Sequence, residues 1–433
     1  MPDAKTVSEA SRPLVTLVTV DPETLPMGTA PNYTFRYIDI AAATKGRLLL
    51  PDDEIEYRDA PSRARRVLRD QDVIMSTVRP NLKAFAYCRL PPGNFVASTG
   101  FAVLRAKVGT DPRFILYSIL SDDVTRQIER FVVGSNYPAI NSSDVKRLRI
   151  RNLSPGEQER IGEIIGTVDE AIQQTEALIA KTQQIKAGLM HDLFTRGVSS
   201  DGQLRPPREE APHLYRKWAP EYVPSSWDRE TLGELTPDTA PICYGIVQPG
   251  AHKPDGVPVV AIYNLNVDFT TTLRSSREIE SAYVRSRIRG GDVLLSIKGS
   301  IGRVDVAPDG FVGNISRDVA RIRPRPGIHP DFLRYALECE YLQTGLFRIS
   351  VGTTRAELSI GRLKQVPVYL PPESEQVAIA SRLAAVDESL KAERHVLGKL
   401  GQQKRGLMAD LLSGRVPLGT LADPKFAEGA ADV

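Results

Sequence analysis

Each half of the chain contains a cluster of small and basic residues that could bind phosphate groups. In the second half the cluster follows a strand-like run at residues 292–297, and in the first half it follows a similar run at residues 72–76. Small side chains let backbone amides approach an anion, while Lys and Arg add positive charge. We therefore predict an anion-binding loop in each half, formed by Ser76, Arg79 and Lys83 in the first and by Ser296, Lys298, Ser300 and Arg303 in the second.

A second polar cluster precedes a long helical pattern in each half. Asn and Arg side chains can bond bidentately to adenine and guanine edges, and Ser and Thr hydroxyls can contact phosphate. A glycine-rich turn whose polar side chains are simply solvated is the alternative. If Arg355 reads a base, its replacement by Ala should weaken DNA binding by roughly 1–3 kcal/mol. The candidates are Ser135, Asn136 and Tyr137 in the first half and Gly352, Thr353, Thr354 and Arg355 in the second.

Basic residues also occur in two short runs, at residues 63–66 and 321–325. Arginines that alternate along a strand lie on one face of the sheet. The pattern favours a solvated face, and contact with a nucleic-acid backbone is the second interpretation.

The sequence offers no pattern for catalysis. It lacks a Gly-x-x-x-x-Gly-Lys-Ser/Thr phosphate loop and a Gly-x-Gly-x-x-Gly dinucleotide motif. Enzymes that methylate an amine use Asn/Asp-Pro-Pro-aromatic, whereas Asn-Tyr-Pro at residues 136–138 has a different order. The five histidines and three cysteines show no metal-ligand spacing. We predict no catalytic residue and no metal site.

An internal repeat relates the two halves of the chain at a lag of 218 residues. Val-Asp-Glu at residues 168–170 returns at 386–388, and Gly-Leu-Met at 188–190 returns at 406–408. The lead-in Leu-Ser-Pro-Gly-Glu-Gln at 153–158 returns as Leu-Pro-Pro-Glu-Ser-Glu-Gln at 370–376. Two similar halves predict pseudo-twofold symmetry, which suits a ligand with two half-sites, and DNA is the commonest such ligand.

The repeated segments have the spacing of a coiled coil. Apolar residues recur at alternating intervals of three and four, and polar residues interrupt both copies at matching places, Thr175 with Glu393 and Lys186 with Lys404. Helices that each pack on their own domain are the alternative. The predicted seam consists of Ile165, Val168, Ile172, Ile179 and Leu189 in the first copy and of Leu383, Val386, Leu390, Leu397, Leu400 and Leu407 in the second.

The regions that precede these helices contain short apolar runs broken by Pro and Gly, with a helix predicted near residues 112–131 and another near 330–349. The fold class is therefore α+β, with two similar domains separated by two long antiparallel helices. The boundaries that we predict are 1–152 for the first domain, 153–197 for the central helix, 198–220 for a linker, 221–369 for the second domain, 370–416 for the C-terminal helix and 417–433 for a disordered tail.

Composition and charge limit where in the cell this chain is expected and what it could bind. The net charge is only +3, although residues 31–150 contain 19 Lys and Arg against 13 Asp and Glu, which allows a basic face there. No apolar run approaches the roughly 18 residues of a membrane span, and the first twelve residues lack a signal-peptide core. Three widely spaced cysteines suit a reducing compartment. We expect a cytoplasmic protein without a membrane contact.

These motifs resemble the specificity subunit of type I restriction-modification systems. The repeated lead-in, the Val-Asp-Glu and the Gly-Leu-Met-x-Asp-Leu carry the resemblance, together with Gly-Asp-Val-Leu-Leu-Ser at 291–296 and Gly-Thr-Thr-Arg at 352–355. The resemblance implies two target-recognition domains that each read one half of a split double-stranded DNA sequence. It also implies a spacer made of the two helices, roughly 50 Å long at 35 residues.

The resemblance also implies partners. Two methyltransferase subunits would dock on the chain, and two restriction subunits could join them. No cofactor is expected on this chain, whereas S-adenosylmethionine would bind the methyltransferase, and ATP and Mg²⁺ would bind the restriction subunit. Two alternatives remain, a protein–protein scaffold without sequence readout and a fused restriction enzyme with chemistry that the motifs do not reveal.

Overall fold

The computed structural model describes residues 10–132, 138–218, 221–352 and 356–416. The chain divides into two compact units, of which the first comprises residues 1–177 and 395–433 and the second comprises residues 178–394. The two long helices, Pro155–Thr195 and Glu373–Ser413, each contribute one part to each unit. Each long helix is therefore divided between the two units, whereas the sequence predicts the helices as segments separate from the domains.

Two four-stranded sheets form the globular part of the first unit. One is antiparallel, in the order Val18–Val20, Phe101–Ala106, Val73–Ser76, Phe85–Tyr87. The other has the order Ile55–Glu56, Thr34–Ile38, Phe95–Ser98, Ala64–Leu68, and its two central strands are parallel. The described remainder includes the strand pairs Ser11–Pro13 with Arg149–Arg151 and Ala43–Thr44 with Arg47–Leu48, and the helices Pro112–Leu120, Asp122–Phe131 and Ser142–Arg147.

The second unit has the same sheet topology. Its antiparallel sheet has the order Cys243–Tyr244, Val319–Ile322, Val293–Ser296, Val304–Val306. Its other sheet has the order Leu273–Ser275, Val257–Val260, Val312–Ile315, Ile288–Arg289, again with parallel central strands. The described remainder includes the strand pairs Tyr215–Trp218 with Glu221–Pro224 and Asp228–Thr231 with Pro367–Leu370, and the helices Arg277–Ser281, Pro330–Glu338, Glu340–Ile349 and Ile360–Lys364.

One central strand in each unit is buried on both faces, which explains its continuous apolar sequence. In the first unit Val73 and Met75 pack with the helices, while Ile74 packs toward the core around the second sheet. In the second unit Val293 and Leu295 face the helices and Leu294 faces the other core. Both strands therefore end at a fixed place between two cores, where the predicted anion loops begin.

Within each unit the parts of the two long helices run antiparallel. In the first unit Asp169 pairs with Lys404, and Ile165 shares a core with Leu411. In the second unit Thr182 bonds to Glu393 and Lys186 pairs with Asp387. Of the predicted seam, Ile165, Val168, Ile172, Leu383 and Leu390 are buried, and Ile179, Leu189, Val386, Leu397, Leu400 and Leu407 are partly buried.

The structure differs from the sequence expectations in four places. The single helix expected at residues 112–131 is two helices that meet at Ser121, and the helix expected at 330–349 is likewise divided at Cys339. The segment predicted as a linker packs on the second unit, because Arg205 pairs with the buried Glu375. Arg321 does not lie on a solvated face. It is 3% exposed and donates to backbone carbonyls of Pro241 and Arg285.

Candidate nucleic-acid interface

Two segments that are far apart in sequence lie side by side in the second unit. The first is the strand-end loop, residues 296–303, and the second is the pre-helix segment, residues 356–358. Gly299 N donates to Ala356 O at 3.1 Å, and Leu358 N donates to Ile297 O at 2.8 Å. An antiparallel bridge between Lys298 and Glu357 lies between these two bonds. The strand-end loop therefore pairs with residues 356–358, which directly follow the second predicted cluster in the sequence.

The first unit repeats this arrangement bond for bond. Its strand-end loop is residues 76–83, and its pre-helix segment is residues 138–140. Arg79 N donates to Pro138 O at 2.7 Å, Ile140 N donates to Thr77 O at 2.9 Å, and Val78 bridges Ala139 between them. The match shows that the repeat, which is degenerate in these globular parts, preserves a backbone geometry rather than a set of side chains.

The serine that begins each strand-end loop has a structural role. Ser76 Oγ donates to Val78 O and Ser296 Oγ donates to Ser300 O, both at 2.6 Å, and both serines are fully buried. Ser296 Oγ also accepts a bond from Arg303 N at 2.8 Å. These hydroxyls hold the loops in shape, and their burial keeps them from direct contact with a ligand.

Both strand-end loops contain two backbone positions in the left-handed region. In the second unit they are Gly299 (φ 72°) and Gly302 (φ 95°), and in the first unit they are Arg79 (φ 47°) and Lys83 (φ 53°). The left-handed region costs a residue with a side chain about 1–2 kcal/mol, a cost that glycine avoids. The first unit thus has basic residues at the left-handed positions, where the second unit has glycines without a side chain.

The predicted loop residues differ in how exposed they are. Arg79, Ser300 and Arg303 are exposed. Lys83 Nζ instead donates to Leu120 O at 2.9 Å, at the C-terminus of helix Pro112–Leu120. Lys298 Nζ lies 2.8 Å from Glu357 Oε1. Both predicted lysines are thus engaged by other groups of the protein.

The remaining predicted residues of the second cluster lie mostly outside the described residues. These are Ser135, Asn136, Tyr137, Thr353, Thr354 and Arg355. Gly352 is described, is exposed and has a φ of 100°. The predicted role of these side chains therefore stays a prediction, although the backbone next to them is described.

Below each strand-end loop, a buried aspartate anchors the strand. Arg105 donates to both oxygens of Asp72 at 2.8 Å, and Arg323 donates to both oxygens of Asp292 at 2.6 Å. Both aspartates are 1% exposed. Nothing in the sequence identifies the arginine partners of these aspartates, which lie 33 and 31 residues away.

A second repeated cluster joins each long helix to its neighbours. Tyr117 and Tyr335 donate to Asp169 and Asp387 at 2.9 and 2.8 Å. Burial favours the neutral form of Asp387, but hydrogen bonds from Lys186 and Tyr335 outweigh burial and lower its pKa. Burial raises the pKa of Tyr335, and the adjacent Asp387 raises it further. The Val-Asp-Glu motif thus has a structural explanation.

Comparison with known proteins shows which family this chain is similar to. Residues 254–400 match the model of the type I restriction modification DNA specificity domain. The EcoBI specificity subunit of Escherichia coli, from a type I restriction enzyme, is 28% identical over 296 residues, which span 64% of this chain and 62% of that subunit. Residues 254–400 thus carry a type I DNA specificity domain, and the chain is similar to type I specificity subunits over about two thirds of its length.

Solved structures of specificity subunits share the fold of this one. A chain from a study of complex assembly and conformational transition of the type I R-M system is 26% identical, with a TM-score of 0.53, and the match covers 93% of this chain and 97% of that one. The S subunit from M. genitalium is 15% identical, with a TM-score of 0.58 and coverages of 93% and 95%. The predicted α+β architecture is confirmed.

Among the described residues, no group of three or more His, Cys, Asp or Glu side chains could hold a metal ion. The described helices include none whose apolar stretch would span a membrane.

Proposed function

We propose that this chain reads a split DNA sequence, one half through each unit, and catalyses no reaction itself. The main support is that the strand-end loop pairs with the pre-helix segment. Both units form this pairing with the same hydrogen bonds. A reader of two half-sites needs two similar frames that present different side chains. The two units meet this requirement, because their backbones match while their exposed loop residues differ.

The side chains on each frame suit contact with DNA. Arginine bonds bidentately to guanine edges or to phosphate oxygens, and Ser and Thr bond to phosphate. We assign Arg79 to the first half-site, and Ser300 and Arg303 to the second. Ser135, Asn136 and Tyr137 would complete the first surface, and Gly352, Thr353, Thr354 and Arg355 would complete the second.

The helix pair would serve as spacer and scaffold. Two long antiparallel segments joined by ion pairs and an apolar seam make a rigid element, which can fix the separation between two half-sites. We propose that two methyltransferase subunits dock on the chain in the cytoplasm, bind S-adenosylmethionine and flip the target adenine from the duplex. Restriction subunits with ATP and Mg²⁺ would join the same complex.

A methylome experiment tests this function. The chain is co-expressed with the methyltransferase encoded beside it, and methyladenine is mapped across the host genome. We expect a motif with two short specified halves and an unspecified gap. Arg303→Ala should relax or abolish recognition of one half, while Arg79→Ala should affect the other half. A complex that forms without methylating DNA and without binding duplex DNA would contradict the proposal.

A further inference from the structure

A third loop, whose middle residue is exposed, adjoins the strand-end loop in each unit. It consists of residues 98–100 in the first unit and residues 316–318 in the second. Thr77 N donates to Gly100 O at 2.8 Å, and Ile297 N donates to Asp318 O at 2.9 Å. In each unit the third loop is thus hydrogen-bonded to the residue after the buried serine. That residue belongs to the strand-end loop, which also bonds to the pre-helix segment.

The third loop of the second unit presents a cation. Arg317 is exposed, and its backbone is fixed because Arg317 N donates to Ile246 O at 2.9 Å. Its guanidinium forms a long ion pair, with Nε 3.6 Å from Asp318 Oδ1, and both side chains are more than a third exposed. Ion pairs this exposed contribute little free energy, so Arg317 can exchange its partner for a ligand at small cost.

The third loop of the first unit receives its cation from a neighbouring segment. Thr99 is exposed, and Thr99 N donates to Arg63 O at 2.8 Å. Arg63 is itself exposed, and its Nε donates to Tyr37 Oη at 3.3 Å, which is a long and weak bond. In the second unit an arginine is therefore part of the third loop, and in the first unit an arginine is bonded to that loop through its backbone. The two arginines occupy different positions in the repeat.

We propose that Arg63 and Arg317 are DNA contacts and that the third loop extends each reading surface. This inference rests on the proposed function, since it assigns new residues to the same surface. The ligand chemistry is a pair of adjacent acceptors, which a phosphate group and the major-groove edge of guanine both provide. Arg63 begins the basic run at residues 63–66, for which nucleic-acid contact is the second interpretation of the sequence, whereas Arg317 belongs to no run or cluster that the sequence marks.

The test uses the complete complex of this chain with its methyltransferase. The probes are a duplex that carries the motif mapped by methylation and a duplex of equal length with scrambled sequence. We expect Arg317→Ala and Arg63→Ala each to weaken binding to the motif duplex roughly tenfold. Arg229→Ala is the matched control, because Arg229 is also exposed but lies on the strand pair that begins at Asp228. Thermal melting of each variant confirms that it folds.

A second substitution distinguishes the two acceptor sources. If Arg317 contacts phosphate, Arg317→Lys restores most of the affinity, and Arg317→Ala weakens both duplexes alike while lowering the salt slope by about one. If Arg317 reads guanine, Arg317→Lys restores little and only the motif duplex is affected. Either result supports the inference. Unchanged affinity of the alanine variants, or an equal loss in Arg229→Ala, overturns it. A wild-type complex that binds neither duplex refutes the proposed function instead.

Discussion

Lys404 of the second long helix forms an ion pair with Asp169 of the first, with Nζ 2.5 Å from Oδ1. The reverse pair, Lys186 of the first helix with Asp387 of the second, has a distance of 2.6 Å. Each unit therefore contains one lysine and one aspartate from opposite helices, and the repeat makes the same interaction twice. The lysines are the polar residues that interrupt the predicted seam, so the structure explains that interruption as a specific pairing between the helices.

Loss of either lysine should destabilise the helix pair. Lys186→Ala leaves Asp387 partly buried, with Tyr335 and Arg334 as its remaining partners. Because the pair is about one-fifth exposed, we expect a loss of about 1–3 kcal/mol, between the values of surface and buried pairs. Thermal melting measures it. Lys391→Ala is the control, since its pair with Glu388 is exposed and should change stability by less than about 0.5 kcal/mol. Equal effects from both variants would contradict this assignment.

The contribution of Asp387 should depend on pH. Its pKa is lowered in the folded state, so its ionised form stabilises the fold above the unfolded value of about 4 and loses this effect as pH falls through the folded value. Asp387→Asn should therefore cost most near pH 7 and least near pH 3. Urea denaturation of both proteins at several pH values measures the difference. A difference that stays constant from pH 7 to pH 3 would show that charge is not its cause.

A charge in the seam should break the helix pair. Leu390 is 5% exposed, and Leu390→Asp would bury a carboxylate without a partner. We expect the variant to unfold the pairing and to lose its methyltransferase in co-purification. Leu178→Asp on the first long helix is the control, because Leu178 is 49% exposed and its replacement should be tolerated. A Leu390→Asp complex that co-purifies intact would rule out the seam.

Two glycines should respond in opposite directions to replacement by alanine. Gly197 follows the first long helix with a φ of 65°, and a Cβ there would collide with Glu375, Arg205 and Trp227. Gly197→Ala should cost about 2 kcal/mol or more, from backbone strain and crowding together. Gly188 lies within the helix with open space around it, so Gly188→Ala should stabilise by about 0.5–1 kcal/mol. Melting temperatures that move in the same direction for both variants would contradict the structure.

Much of the fold was predictable because its signals are local. The starts of both long helices follow from Ser154 before Pro155 and from Pro372 before Glu373, and the helices begin at Pro155 and Glu373. The strands at Val73–Ser76 and Val319–Ile322 coincide with apolar runs. By contrast, Ser121 and Cys339 divide the expected helices, and Arg321 is buried by partners on other segments that its own run does not reveal.

The sequence by itself determined the repeat, the helical seam and the two loop clusters of each half, since each depends on residue types at fixed short spacings. The tertiary structure revealed that the strand-end loop meets the pre-helix segment and that Ser76 and Ser296 are buried. It also revealed that the third loop, with Arg317 in it or Arg63 bonded to it, adjoins the strand-end loop. The reason is physical. Contacts between segments that are distant in sequence depend on how sheets and helices pack around shared cores, and no local pattern encodes which neighbour a side chain will meet.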